Sequence, residues 1–231
     1  VVFLHDALGA VSLWRDLPAR LCTDLRREGF AFDRLGFGRS DPWRAAPDHR
    51  FLEVEAKERL PEVLRQAGIE HPVLFGHSDG GTIALLFASA FPESPAAVVS
   101  IAAHVLVEEA TLAGIDRTVA AWRSTELPCR LAKHRGEKTE AVFRAWSEAW
   151  WGEDFRGFSA VDAIRSSRCP LLVVQGERDE YGTLAQVEAI AGAVRGTVRT
   201  AILPGLGHFP HREDPDRVLS ETESFLSEFR A

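Results

Sequence analysis

Methionine is absent from the 231 residues, tyrosine occurs once and cysteine three times. Cys22, Cys129 and Cys169 are odd in number and far apart, and none forms a CxxC. That pattern excludes a disulfide framework and predicts free thiols in a reducing compartment, hence a cytoplasmic protein. The eight histidines show no HExxH spacing, so neither a metal nor another cofactor is expected. No apolar run approaches the roughly 18 residues needed to span a bilayer. No basic segment leads into a short apolar one, as it does in a secretory leader. Positive charge is in deficit, with 27 Lys and Arg against 34 Asp and Glu, a net charge of -7. Such a balance argues against non-specific binding to nucleic acid or an anionic membrane. A small-molecule substrate is the partner expected, with the oligomeric state left open. The missing methionine and the apolar opening Val1 to Leu4 predict that residues precede Val1 in the gene product, or that methionines have been dropped or replaced.

What is present is ordinary for a globular α/β domain: 45% hydrophobic and 26% charged residues over a length that holds a real core. Apolar strand-like runs open at Val1 to Leu4, Phe30 to Phe32, Pro72 to Gly76 and Ala97 to Ala102. Helical patterns run from Ser12 to Arg27, from Phe51 to Gly68 and from about Gly80 to Phe91. The alternation resumes with strands Pro170 to Gln175 and Thr197 to Leu203 and helices Thr183 to Val194 and Asp214 to Phe229. Strands alternating with helices predict a mostly parallel, doubly wound sheet. In such sheets the ligand site lies beyond the carboxyl ends of the strands.

The rhythm breaks between 104 and 159, where no convincing strand occurs. Trp122, Trp146, Trp150 and Trp151 fall there with Phe143, Phe155 and Phe158. This stretch is expected to be a helical insertion, a lid, dividing a core of residues 1–103 and 160–231. Its aromatic residues would either wall an apolar acyl pocket or pack the insertion onto the core. Lys133, Arg135, Glu137 and Lys138 read as its solvated face. His104, directly after the fourth strand, is a candidate to point into the site.

The strongest chemical signal is Gly76-His77-Ser78-Asp79-Gly80-Gly81. It matches GxSxG and sits between an apolar strand and an apolar helix, the context that motif requires. Small residues on either side let the chain turn tightly and lift the Ser78 hydroxyl clear of the sheet. The helix N-terminus would set the Asp79 N–H beside a developing oxyanion. His77 reads as structural. A serine hydroxyl needs a base, and Gly207-His208-Phe209 supplies one in the loop after the last strand. The neighbouring His211, beside Arg212 and Glu213, reads as exposed. Glu177, Asp179 and Glu180 crowd the loop after the fifth strand, and any of them could orient His208. The order serine, acid, histidine is the one known for this arrangement.

Taken together, His5-Asp6-Ala7, the run Asp33 to Ser40, the Gly76 to Gly81 turn, Gly176 to Asp179 and Gly207 to Pro210 resemble the α/β-hydrolase superfamily. The resemblance covers nearly the whole chain except the insertion. It implies that Asp179 is the acid of a Ser78–Asp179–His208 triad, and that Ala7 gives the second oxyanion N–H. Relatives often carry His-Gly where this chain has His5-Asp6, a departure in that loop. The resemblance implies a serine esterase, and the aromatic insertion suggests a small, largely apolar acyl substrate, with His104, Trp122, Trp146 and Trp150 as candidate substrate contacts. A cofactor-free perhydrolase or a C–C bond hydrolase would use the same three residues. A non-catalytic ligand receptor on the same fold is the alternative of another class.

Overall fold

The computed structural model describes residues 1–229; positions 230–231, assigned above to the core, lie outside the described residues. Six strands form one sheet: β1 (Val2–Leu4), β2 (Phe30–Ala31), β3 (Val73–His77), β4 (Ala97–Ile101), β5 (Leu171–Gly176) and β6 (Val198–Leu203). The order is β2-β1-β3-β4-β5-β6, and every pairing is parallel. Strands β1, β3, β4 and β5 are buried along their whole length, as continuous apolar runs in a sheet covered on both faces must be.

Helices α1 (Leu17–Leu25), α2 (Phe51–Val54), α3 (Leu60–Ala67) and α4 (Asp79–Ala90) follow the first three strands. Helices α5 (Glu109–Ser124), α6 (Leu127–Arg135), α7 (Thr139–Trp151) and α8 (Glu153–Arg156) fill the interval between β4 and β5. The chain ends with α9 (Leu184–Ala193), the single turn α10 (Pro210–Glu213) and α11 (Pro215–Ser227). Two apolar layers flank the sheet. One gathers Leu52, Leu60, Ile83 and Phe87 from α2, α3 and α4. The other gathers Leu17, Leu21, Val218 and Phe225 from α1 and α11. No described helix is long and apolar enough to cross a membrane.

Two helices expected to be continuous are interrupted. The stretch from Ser12 is a 3-10 turn, Val11–Trp14, that stops where Arg15 takes φ 54°. The α-helix then restarts at Leu17 with Pro18 in its first turn, the one place where a missing N–H costs nothing. In the stretch from Phe51, a π-turn at Glu55–Arg59 separates α2 from α3. Pro61 cannot donate to the residue four back, and the wider turn accommodates that lost bond. Gly68, at φ 67°, closes α3 as its left-handed cap.

Candidate active site

The carboxyl ends of β1, β3, β4, β5 and β6 all point to one edge of the sheet. The loops there bring together His5 to Leu8, Ser78, His104, Asp179 and His208. Ser78 is held at φ 53°, ψ −119°, a conformation a non-glycine residue avoids unless its surroundings impose it. The tight turn is possible because neighbouring positions carry no Cβ. One added at Gly80 would sit 1.9 Å from the Leu4 carbonyl oxygen, and one at Gly76 2.2 Å from that of Gly80. The Ser78 N–H donates to the Ile101 carbonyl at 2.8 Å, tying the turn to β4.

His208 Nε2 lies 3.1 Å from Ser78 Oγ. Its Nδ1 lies 3.0 and 2.9 Å from the two oxygens of Asp179. Asp179 is fixed in turn by the Gln175 amide at 2.8 Å and the Tyr181 N–H at 2.8 Å. The other two acids of that loop engage backbone instead. Glu177 accepts from Gly205 N–H at 3.0 Å, and Glu180 from His208 N–H at 3.2 Å. Burial works to lower the His208 imidazole pKa, but the charge and hydrogen bond of Asp179 outweigh it, and the net shift is upward. Burial would raise the Asp179 carboxyl, and His208 with the Tyr181 N–H hold it below its ordinary value.

Behind this row lies a second set of polar groups. His77 Nε2 donates to the His208 carbonyl at 2.7 Å, while its Nδ1 faces Asp6 Oδ2 at 3.4 Å. Asp6 Oδ1 accepts the Leu8 N–H at 2.8 Å, which shapes the loop carrying Ala7. Arg34 donates to the Asp6 carbonyl at 2.9 Å and lies 3.9 Å from Asp79 Oδ2. Burial pushes the Asp79 carboxyl up to about 7 despite the opposing pull of Arg34.

A small, mostly apolar cavity opens over Ser78. Ala7, Asp79, His104, Trp146 and Trp150 all line it, with Ser78 and His208. His104 is buried, and burial together with the charge of His208 holds its pKa down to about 4, so it faces the cavity as a neutral ring. Thr111, Ile115, Tyr181 and Phe209 line the same space and were not anticipated as contacts. Tyr181 carried a signal in the sequence: it is the sole tyrosine and stands two residues after Asp179.

Three expectations are corrected. Trp122 does not reach the cavity; it stacks on Phe143, with ring centroids 4.0 Å apart and planes at 14°. It continues the stripe of Thr111 and Ile115 along α5, but lies two turns beyond Ile115, about 10 Å further along the axis. His211 is buried, packed 4.3 Å from the His77 ring and 5.0 Å from that of Trp14. Its charged neighbours in sequence misled because one helical turn sends adjacent side chains in different directions. Arg135 is buried rather than part of a solvated face, with the carboxylates of Asp6 and Asp33 as its opposing charges. Trp151, by contrast, is 42% exposed and donates to Asp116 at 2.9 Å.

Among the described residues no cluster of histidine, cysteine or carboxylates could hold a metal ion. Residues 1–221 match the family described as the alpha/beta hydrolase family. A human 1-acylglycerol-3-phosphate O-acyltransferase ABHD5 is 31% identical over 122 residues, 53% of this chain and 34% of that protein. The match spans about a third of the length of these curated relatives. Among solved structures, E-2-(acetamidomethylene)succinate hydrolase superposes with a TM-score of 0.75 at 20% identity, over 98% of this chain and 91% of that one. The enol-lactonase of Burkholderia xenovorans LB400 does so at 0.76 and 16% identity, over 98% and 90%. At such identities these superpositions speak to the fold.

Proposed function

The chain belongs to the alpha/beta hydrolase family, and from that premise we propose that it is a serine hydrolase cleaving a small, largely apolar ester. The observation that carries the reading is the unbroken row from Ser78 Oγ to His208 Nε2 at 3.1 Å and from His208 Nδ1 to Asp179 at 2.9 Å. His208 takes the proton as Ser78 Oγ attacks the ester carbonyl carbon, and Asp179 stabilises the imidazolium that forms. The N–H groups of Asp79 and Ala7, two residues that line the cavity, receive the developing oxyanion. As the tetrahedral adduct collapses, the C–O bond to the alcohol breaks, and the leaving oxygen takes the proton from His208. Water, deprotonated by the same histidine, then frees the acid and restores Ser78.

The apolar walls Ile115, Trp146 and Trp150 suit a hydrocarbon acyl chain, and in this reading helices α5 and α7, which carry them, serve as a lid. An alcohol replacing water at the second step would turn hydrolysis into acyl transfer, the reaction for which the human relative is named. Assaying p-nitrophenyl acetate, butyrate and octanoate with and without a glycerol acceptor tests both branches. Absence of turnover and of covalent labelling by a fluorophosphonate would defeat the proposal and leave a ligand-binding role.

A further inference from the structure

A second and larger concavity adjoins the Ser78 cavity. The two share the walls Asp6, Leu8, Tyr181 and Phe209. The groove differs from the rest of the surface in charge. On a chain of net charge -7 it is lined by five cations, Arg15, Arg117, Arg130, Lys133 and Arg212, against three acids. Those acids are already engaged. Glu213 accepts from the N–H groups of Gly207 and Phe209 at 2.8 and 3.1 Å, Glu180 from that of His208, and Asp6 from that of Leu8. Among the described residues, none of the five cations has a carboxylate within ion-pair distance. Burial first, then the charges of Arg135, Arg212 and Lys133, hold the His134 imidazole on the same wall below its ordinary value; Arg212 and Lys133 are among the groove's cations.

We propose that this groove binds a phosphate group carried on the leaving-alcohol side of the substrate, so that the natural ester is an anionic amphiphile with its acyl chain in the Ser78 cavity. Arg117 donates to the Glu180 carbonyl at 2.8 Å and Arg212 lies over the Phe209 ring, so these contacts leave the charges of all five cations unneutralised. One carboxylate is satisfied by a single guanidinium fork, whereas five cations around one groove, none of them paired to a carboxylate, suit an anion of higher charge with several acceptor oxygens. The apolar cavity and the basic groove share a wall beside the reacting serine, so an ester with an apolar end and an anionic end fills both. Charges at the mouth of a cleft also raise the encounter rate with an anionic substrate, and that gain falls with salt. The inference rests on the hydrolase reading for its chemistry, and on the groove alone for its binding.

The test compares hexanoylglycerol phosphate with neutral hexanoylglycerol. In wild-type protein kcat/KM for the phosphate ester should exceed that for the neutral ester at least tenfold at low salt. The advantage should shrink as salt rises from about 0.02 to 0.5 M. The double variant Arg130→Glu, Lys133→Glu should cut the phosphate-to-neutral ratio at least tenfold. Arg27→Glu, beyond the other end of the sheet, should leave the ratio unchanged. Calorimetric titration of the Ser78→Ala protein with both compounds, needing no turnover, should show tighter binding of the phosphate ester and loss of that preference in the double variant. If no ester is hydrolysed but the binding preference holds, the hydrolase reading fails and the anion site stands. If the Ser78→Ala protein binds both compounds equally, the anion site is overturned whatever the activity shows.

Discussion

His77 Nε2 meets the backbone carbonyl of His208 at 2.7 Å, so the residue before the nucleophile holds the residue that faces it. The bond joins the β3–α4 turn to the loop after β6, and Asp6 continues it on the other side of the ring. Changing His77 to Asn should preserve the strand and lower kcat about tenfold or more through misplacement of the His208 ring, since small displacements of catalytic groups are costly. KM for a short ester should move little. Circular dichroism checks the fold, and a kcat equal to that of the parent would show that the contact is packing alone.

Ser78→Ala should abolish ester hydrolysis by about 10⁴–10⁶-fold, because the members of such a row act as a unit. Fluorophosphonate labelling should map to Ser78 and vanish in the variant. Because the backbone at φ 53° is imposed by its surroundings, the variant should fold normally. Activity that survives the change would remove Ser78 from the mechanism.

The upward shift of His208 has opposite consequences for activity and stability. Activity needs the neutral ring, so kcat/KM should rise with pH along a limb centred above the ordinary histidine value of about 6.5. The folded pKa lies above the unfolded one. The stability this ring contributes is therefore fully present below about pH 6.5 and is lost as pH rises through the folded value. In Asp179→Asn the carboxylate that raises the pKa is gone and burial remains, so the limb should move below 6.5 while kcat falls by about 10⁴. A limb unmoved in that variant would assign the titration to another group.

The sheet was legible in the sequence because its buried strands are largely apolar runs; Ser78 and Asp179 each follow one of them, while His208 follows β6, a partly exposed strand. The breaks at Arg15 and before Pro61 were not, since each depends on how one backbone position satisfies its hydrogen bond. His211 and Arg135 read as exposed because local sequence carries charge but not facing. Spacing alone left the choice among Glu177, Asp179 and Glu180 open, since it depends on where the β6 loop lies relative to the β5 loop, and only the family resemblance singled out Asp179. The basic groove was illegible for the same reason: its cations come from four separate segments, and the net charge of -7 conceals them.

The last prediction concerns what sets acyl length. Ser78, His208 and the oxyanion donors treat any ester carbonyl alike, so discrimination has to come from the cavity walls. Of the four tryptophans between β4 and β5, Trp146 and Trp150 line the cavity over Ser78, and Trp146 also borders a second apolar recess with Phe37, Trp43 and Val142. Trp150 is buried against Phe155 and beside His104, so its removal should cost about 3–5 kcal/mol and mix stability with specificity. Trp146 is only half-buried, and its truncation should join the two recesses with less damage to the fold. Trp146→Ala should therefore shift preference from butyrate towards octanoate esters by about tenfold or more in the ratio of kcat/KM, since each methylene accommodated is worth about 1–3 kcal/mol. Trp151→Ala, at an exposed residue outside the cavity, should leave the order of chain lengths as it is. Trp122→Ala should do the same, because Trp122 packs on Phe143 away from the bound chain. A Trp146→Ala enzyme with the parental order, or a reordering in Trp151→Ala, would place the acyl chain elsewhere than in the cavity these walls define.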